Sequence, residues 1–200
     1  MDGRIAAFML IAAYLALFAV MSRAAARAAG KSVWLFSSAS RSDRLAAHGF
    51  RIAFAIAVVW PLVLLAQPAL AAWDPLIMFG GTLLAGAGLA VAVIGAMIAF
   101  AAQVSMGASW RVGVKDGELG SLVSGGLYDY SRNPTFAGQG LLLIGTAAVA
   151  PSLGTCLAAM LFFWSASTQI RSEEAALLLA HGSAYKDYCR RVPRWLGMSR

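Results

Sequence analysis

Tyr128-Asp129-Tyr130-Ser131-Arg132-Asn133-Pro134-Thr135-Phe136-Ala137-Gly138 is where a polar loop turns into an apolar helix. Downstream, residues 136–150 and 153–170 are two apolar runs joined only by Pro151-Ser152. So short a join makes them an antiparallel helical hairpin, and the first run is short for a full crossing of a bilayer. A second polar cluster follows the hairpin: Arg171-Ser172-Glu173-Glu174, then Tyr185, Tyr188, Arg191, Pro193 and Arg194. Both clusters therefore leave the membrane on the same side.

Upstream of this hairpin the chain reads as hydrophobic scaffold. Residues 5–22, 52–72 and 76–102 are apolar and long enough to span. The first run has Arg4 before it and Arg23, Arg27 and Lys31 after it, which marks a retained helix rather than a cleaved signal peptide, although Ala24-Ala25-Ala26 offers small residues to a peptidase. Pro61 and Pro68 fall inside the second run, where they should kink it. Trp73-Asp74-Pro75 is a tight turn, with Asp74 as the N-cap of the third run. That third run carries Gly80, Gly81, Gly86, Gly88 and Gly95, a density of small residues that suits close helix packing. The expected fold is an all-α integral membrane protein of about five transmembrane helices plus a cytoplasmic C-terminal helical segment. Residues 1–102 form a three-helix membrane scaffold and residues 103–200 a functional core.

Composition agrees. Hydrophobic residues make up 60% of the 200 and charged ones only 12%, which does not suit a soluble domain. The net charge of +7 comes from basic residues between apolar runs, so it suits anionic headgroups rather than nucleic acid. Residues 23–51 form a basic loop whose Val33-Trp34-Leu35-Phe36 suits the headgroup region. With that loop in the cytoplasm, the loop 103–135 and the C-terminal tail lie there too. All but Arg4 of the 16 lysines and arginines are then inside, with the amino terminus outside. The nine acids all fall in loops or tail, and no ionisable side chain other than tyrosine or cysteine lies deep in a span, which argues against a pump, charged-solute carrier or ion channel. Cys156 and Cys189 read as reduced thiols, and two histidines with two cysteines do not approach metal-ligand spacing.

The loop 103–135 is too long for a mere connector. Trp110, Val112 and Val114 alternate with Arg111 and Gly113 ahead of Lys115-Asp116-Gly117-Glu118, a pattern compatible with a short hairpin. Beyond the last span, residues 171–181 continue helically until Gly182 interrupts them, and a second short helix over 184–191 ends before Pro193.

The polar clusters resemble those of the isoprenylcysteine carboxyl methyltransferase family and its relatives among membrane phospholipid and thiol methyltransferases. The resemblance covers residues 103–195 and rests on Gly126-Leu127-Tyr128, Arg132-Asn133-Pro134-Thr135-Phe136-Ala137-Gly138, Glu173-Glu174, Gly182-Ser183-Ala184-Tyr185-Lys186-Asp187-Tyr188 and Val192-Pro193-Arg194. Asn133 stands where the family pattern has His, and Phe136 where it has Tyr. The resemblance implies S-adenosylmethionine as methyl donor, with Asn133, Pro134, Phe136, Gly138, Glu174, Tyr185 and Tyr188 as cofactor-binding candidates. It makes Arg132, Glu173 and Arg111 candidates for catalysis and orientation. The implied partners are membrane lipids, the small-molecule methyl donor and a lipophilic acceptor bearing a carboxylate, thiol or amine, with neither nucleic acid nor metal. Ala and Arg richness suggests a bacterial inner membrane. Two rival readings remain open. The closing Tyr185-Lys186-Asp187-Tyr188-Cys189-Arg190-Arg191-Val192-Pro193 also resembles NADPH-dependent sterol reductases, and a non-enzymatic scaffold or lipid-binding protein fits the apolar half.

Overall fold

A computed structural model of the chain describes residues 2–29, 41–106 and 122–197. These form α1 (Gly3–Ala29), α2 (Arg41–Ala66), α3 (Pro68–Trp73), α4 (Thr82–Met106), α5 (Pro134–Val149) and α6 (Leu153–Arg191), with no strand among the described residues. Helices are what lipid demands, because each backbone amide must find its partner within its own segment. α1, α2, α4 and α6 are long and apolar enough to cross a membrane. α5 has 16 residues, about 24 Å at 1.5 Å per residue, short of the roughly 30 Å hydrocarbon core.

The second expected span is divided rather than kinked. α2 retains Pro61 in its interior but stops at Ala66, and Pro68 opens α3. A proline disfavours helical backbone at the residue before it, and Gln67 is non-helical at φ −127°, ψ 77°. Pro68 itself costs nothing at a helix start, where its missing N–H has no partner to lose. The third span likewise begins later than expected, at Thr82, after a 3-10 turn at Ile77–Phe79. Asp74 caps that turn instead, its Oδ1 accepting from the Leu76 amide at 3.0 Å. Its Oδ2 accepts from the Leu153 amide at 2.8 Å, so one buried carboxylate satisfies the starts of two segments. The short hairpin considered for the loop after α4 and the headgroup patch at Val33-Trp34-Leu35-Phe36 lie outside the described residues.

Small residues seal α4 against α5, though not all the glycines take part. A Cβ on Gly95 would sit 2.5 Å from the Gly138 carbonyl oxygen, and one on Gly145 would sit 2.4 Å from the Ala92 amide. Gly88 is equally close to α5, whereas Gly81 and Gly86 face open space. The seam thus works by backbone approach, which in lipid replaces the missing hydrophobic drive. On the other side α2 packs along α6, with Gly49 beneath Trp164 and Ser165 and Gly154 beneath Trp60. Between these pairs lies an aromatic core in which Phe54 stacks on Tyr14 and meets Phe162 edge-on. Leu83, Met97 and Trp73 point outward, as lipid contact allows.

The two ends of the bundle differ. At one, Arg4 donates from Nη1 to the Leu64 carbonyl and Gly3 packs on Val149, gathering the start of α1 with the ends of α2 and α5. At the other, α6 runs past the bundle and is interrupted at Gly182, whose φ of 53° is unstrained only for glycine. The helix after that break folds back over the start of α5.

Candidate functional site

The chain end is strapped across the entrance of α5. The Arg132 amide donates to the Pro193 carbonyl at 2.9 Å. Asn133 Nδ2 donates to the Arg194 carbonyl, also at 2.9 Å, so this amide holds the tail rather than capping its own helix. The Tyr188 hydroxyl donates to the Tyr128 carbonyl at 2.7 Å. That carbonyl belongs to a 3-10 turn, Gly126–Asp129, opened by Gly126 at φ 67°. Three hydrogen bonds thus fix two stretches some sixty residues apart.

Glu174 is the electrostatic centre. Arg132 Nη1 lies 3.0 Å from its Oε1, with both side chains largely buried at 13% and 14% exposure. Arg194 grips both oxygens, Nε to Oε1 at 3.1 Å and Nη2 to Oε2 at 2.5 Å, a two-pronged geometry that fixes direction as well as charge. The hydrogen bond to Glu174 raises the pKa of Arg194 further. Arg132 also donates to the Cys189 sulfur, and both Cys156 and Cys189 are free thiols. The adjacent Glu173 accepts at Oε1 from Gln169, one turn earlier in α6, at 3.3 Å. Burial first, and neighbouring Cys189 and Glu174 next, push the Tyr185 hydroxyl well above its ordinary value. Burial does the same to Tyr188. Both therefore remain neutral hydrogen-bonding groups at physiological pH.

These residues line a cavity of about 520 Å³, a size within the roughly 300–1,000 Å³ of small-molecule sites. Its charged end is formed by Arg132, Glu173, Glu174, Tyr185 and Tyr188, and its apolar end by Leu15, Phe18, Phe50, Phe54 and Phe136. Arg132 Nε, Thr135 Oγ1 and Gln139 Oε1 lie buried in its wall with no hydrogen-bond partner among the described residues. Such atoms are costly unless a ligand completes them.

Of the residues singled out from sequence, Arg132, Asn133, Phe136, Glu173, Glu174, Tyr185 and Tyr188 all border this one cavity. Pro134 and Gly138 do not. Pro134 is buried as the first residue of α5, and Gly138 faces α4, where a Cβ would lie 2.5 Å from the Ala99 amide. Arg111 lies outside the described residues. Sequence reading passed over Phe18, Phe50, Arg51 and Phe54, which bring α1 and α2 into the wall, together with Gln139 and Gln169. Phe50 and Phe54, one helical turn apart where the basic loop passes into the second apolar run, were a legible signal. So was Gln139, a lone amide in an apolar run.

The family model described as phospholipid methyltransferase aligns with residues 82–183, just over half of the chain and inclusive of α4, the hairpin and the Glu173-Glu174 pair. No curated protein matches the sequence.

Proposed function

Because the chain belongs to the phospholipid methyltransferase family, and is thus a membrane methyltransferase, we propose that it transfers a methyl group from S-adenosylmethionine to a lipophilic acceptor at the cytoplasmic membrane face. The observation that carries this reading is the single cavity in which a charged end continues into a phenylalanine-lined end. A polar donor and a membrane-borne acceptor can meet there without either crossing a barrier.

The residues present fit such a donor. The unpartnered Arg132 Nε–H suits a carboxylate, Glu173 an ammonium group, and the Tyr185 and Tyr188 rings an adenosine face. When bound, the donor supplies a methyl group already activated on a sulfonium, which departs as a neutral thioether. What remains for the protein is alignment and exclusion of water. Glu174 serves by holding Arg132 and Arg194 in place, so that the pocket wall is rigid before ligand arrives. Asn133, standing where related motifs carry His, has no proton to exchange at neutral pH and spends its amide on the tail. Its part is to hold the lid.

Sidedness follows from charge. The cavity opens at the end of the bundle reached by residues 41–51 and the C-terminal segment, where the lysines and arginines concentrate, and short basic loops stay in the cytoplasm.

Thermal shift of the purified chain in detergent tests the reading. S-adenosylhomocysteine is expected to raise the melting temperature and NADPH to leave it unchanged. Stabilisation by NADPH alone would support the reductase reading, and no response to either ligand would favour a scaffold.

A further inference from the structure

Between Ile5 and Ser22 only two side chains of α1 carry an oxygen or nitrogen atom, Tyr14 and Ser22. Both are buried, and both hydroxyls accept from a glutamine amide. Gln139 Nε2 on α5 donates to Tyr14 at 2.8 Å, and Gln103 Nε2 on α4 donates to Ser22 at 3.2 Å. The two hydroxyls stand eight residues apart, about 12 Å along the helix and roughly a quarter turn apart around it. Their donors sit on the two helices sealed by Gly95 and Gly138, so α1 is tied at two heights to one rigid pair.

Neither bond is a strong way to hold a helix in lipid. A hydrogen bond between membrane helices adds little net stability. Each glutamine also keeps its Oε1 buried with no partner among the described residues, which is destabilising. Apolar side chains at these positions would hold α1 as firmly, but without direction. The rest of the run is Ala, Leu, Ile, Val, Met and Phe, which leaves its register loosely specified. A polar residue in such a seam fixes register at a cost in stability. Register matters on α1 because Leu15, Phe18 and Ala19 line the cavity, whereas Tyr14 and Ser22 are not among its lining residues. A slip of one residue would turn that wall by about 100°.

We propose that Tyr14 and Ser22 are positioning residues that key the rotation and height of α1, so that Leu15, Phe18 and Ala19 form a wall against which the acceptor's hydrocarbon part is sized. The inference rests on the methyl-transfer reading above and deepens it. Arg132, Glu173 and Glu174 fall within residues 82–183, the segment shared with the family. Leu15, Phe18 and Ala19 lie outside it, as do Ala47, Phe50, Phe54 and Ala55 of α2. The charged end therefore draws on the shared segment and much of the apolar wall on this chain's own first half. Selection among acceptors by shape belongs to that half, and the two glutamine bonds are what hold α1 to the shared segment in register.

The test uses the full chain in lipid nanodiscs with labelled methyl donor. The probe acceptors are n-alkylamines, n-alkanethiols and fatty carboxylates of graded chain length. Tyr14→Phe keeps the ring that stacks on Phe18 and Phe54 and removes only the hydroxyl. Ser22→Ala and Gln103→Leu remove the second bond from either side, and neither residue lines the cavity. Each variant is expected to change the ratio of kcat/KM between short and long probes about ten-fold, the scale on which an apolar pocket tells homologues apart. Melting temperature and calorimetric affinity for S-adenosylhomocysteine should stay at their wild-type values. Ser22→Thr, which keeps a hydroxyl, should restore the wild-type ratio. Ser22→Ala combined with Gln103→Leu should do no more than either alone, since both remove one bond. Should Tyr14→Phe fail to fold, the Ser22 and Gln103 variants carry the test. A wild-type ratio in every variant, or an altered ratio with an equal loss of donor affinity, overturns the keying of α1 while leaving the donor site standing. A wild-type chain that methylates none of the probes, or does not bind S-adenosylhomocysteine, removes the methyl-transfer reading and this inference with it.

Discussion

α5 has two faces, and they are built on opposite rules. The face toward α4 is dry and small, with Gly138 and Gly145 so close to Gly95 and Ala92 that no side chain fits between the backbones. The face toward α1, α2 and α6 carries Thr135, Phe136 and Gln139, with Arg132 just ahead of the helix, and borders a cavity with unpartnered polar atoms. One helix is thus welded on one side so that the other can stay open. In lipid, where apolar burial offers little net drive, a seam of backbone contacts is what can hold such a gap.

The comparison breaks most readily on the welded side. Gly138→Leu would drive a side chain into the Ala99 amide and the Gly95 carbonyl. Overpacking commonly costs about 1–3 kcal/mol, and more where backbone must move, so we expect loss of monodisperse protein in size-exclusion chromatography. Gly86→Leu, on the facing helix α4 but toward open space, should be tolerated, and it sharpens the contrast between seam glycines and lipid-facing ones.

On the open side the largest effect belongs to Glu174. Glu174→Ala leaves the buried Arg132 guanidinium without its carboxylate, a change that costs about 3–5 kcal/mol for a buried pair. Donor affinity should fall about 100-fold or more, measured by calorimetry with S-adenosylhomocysteine. Next comes Asn133→Ala, which removes one hydrogen bond to the tail, worth about 1 kcal/mol. A several-fold loss of donor affinity with little change in melting temperature is the expected result, because the strap and not the bundle is loosened.

The smallest effect is on alkaline stability. Tyr185 and Tyr188 have pKa values raised by burial, so the folded state holds their protons more tightly than the unfolded chain does. Their contribution is fully present below the unfolded value near 10 and is lost as pH climbs toward the folded value. Melting temperature should be level from neutral pH to about 9 and fall above about 10. The fall should be shallower in the Tyr185→Phe, Tyr188→Phe double variant.

Much of this was legible in the residues. The apolar runs gave the helices, Pro151-Ser152 gave the hairpin, and Gly182 gave the break in α6, because each rests on a local rule. Arg132 and Glu174 were placed on one side by counting crossings, and they lie 3.0 Å apart. What stayed hidden depends on neighbours far away in the chain. Pro68 was read as a kink, yet it starts a helix because Gln67 gives way before it. Asp74 was read as a cap for α4, but its second oxygen serves Leu153, seventy-nine residues on. Gly138 carries the same motif as Arg132 and still turns to α4, since a motif fixes order along the chain and not which face each residue takes. The part played by Phe18 was invisible for the same reason: an apolar helix reads alike whether it faces lipid or a pocket.

An experimental structure of the full chain with S-adenosylhomocysteine bound in a lipid environment tests the central claim most directly. The account predicts ligand density in the charged end of the cavity, touching Arg132 and Tyr185, with the phenylalanine end left open to an acceptor. Density elsewhere, or Arg132 and Glu174 separated with no cavity between α5 and α6, would contradict it.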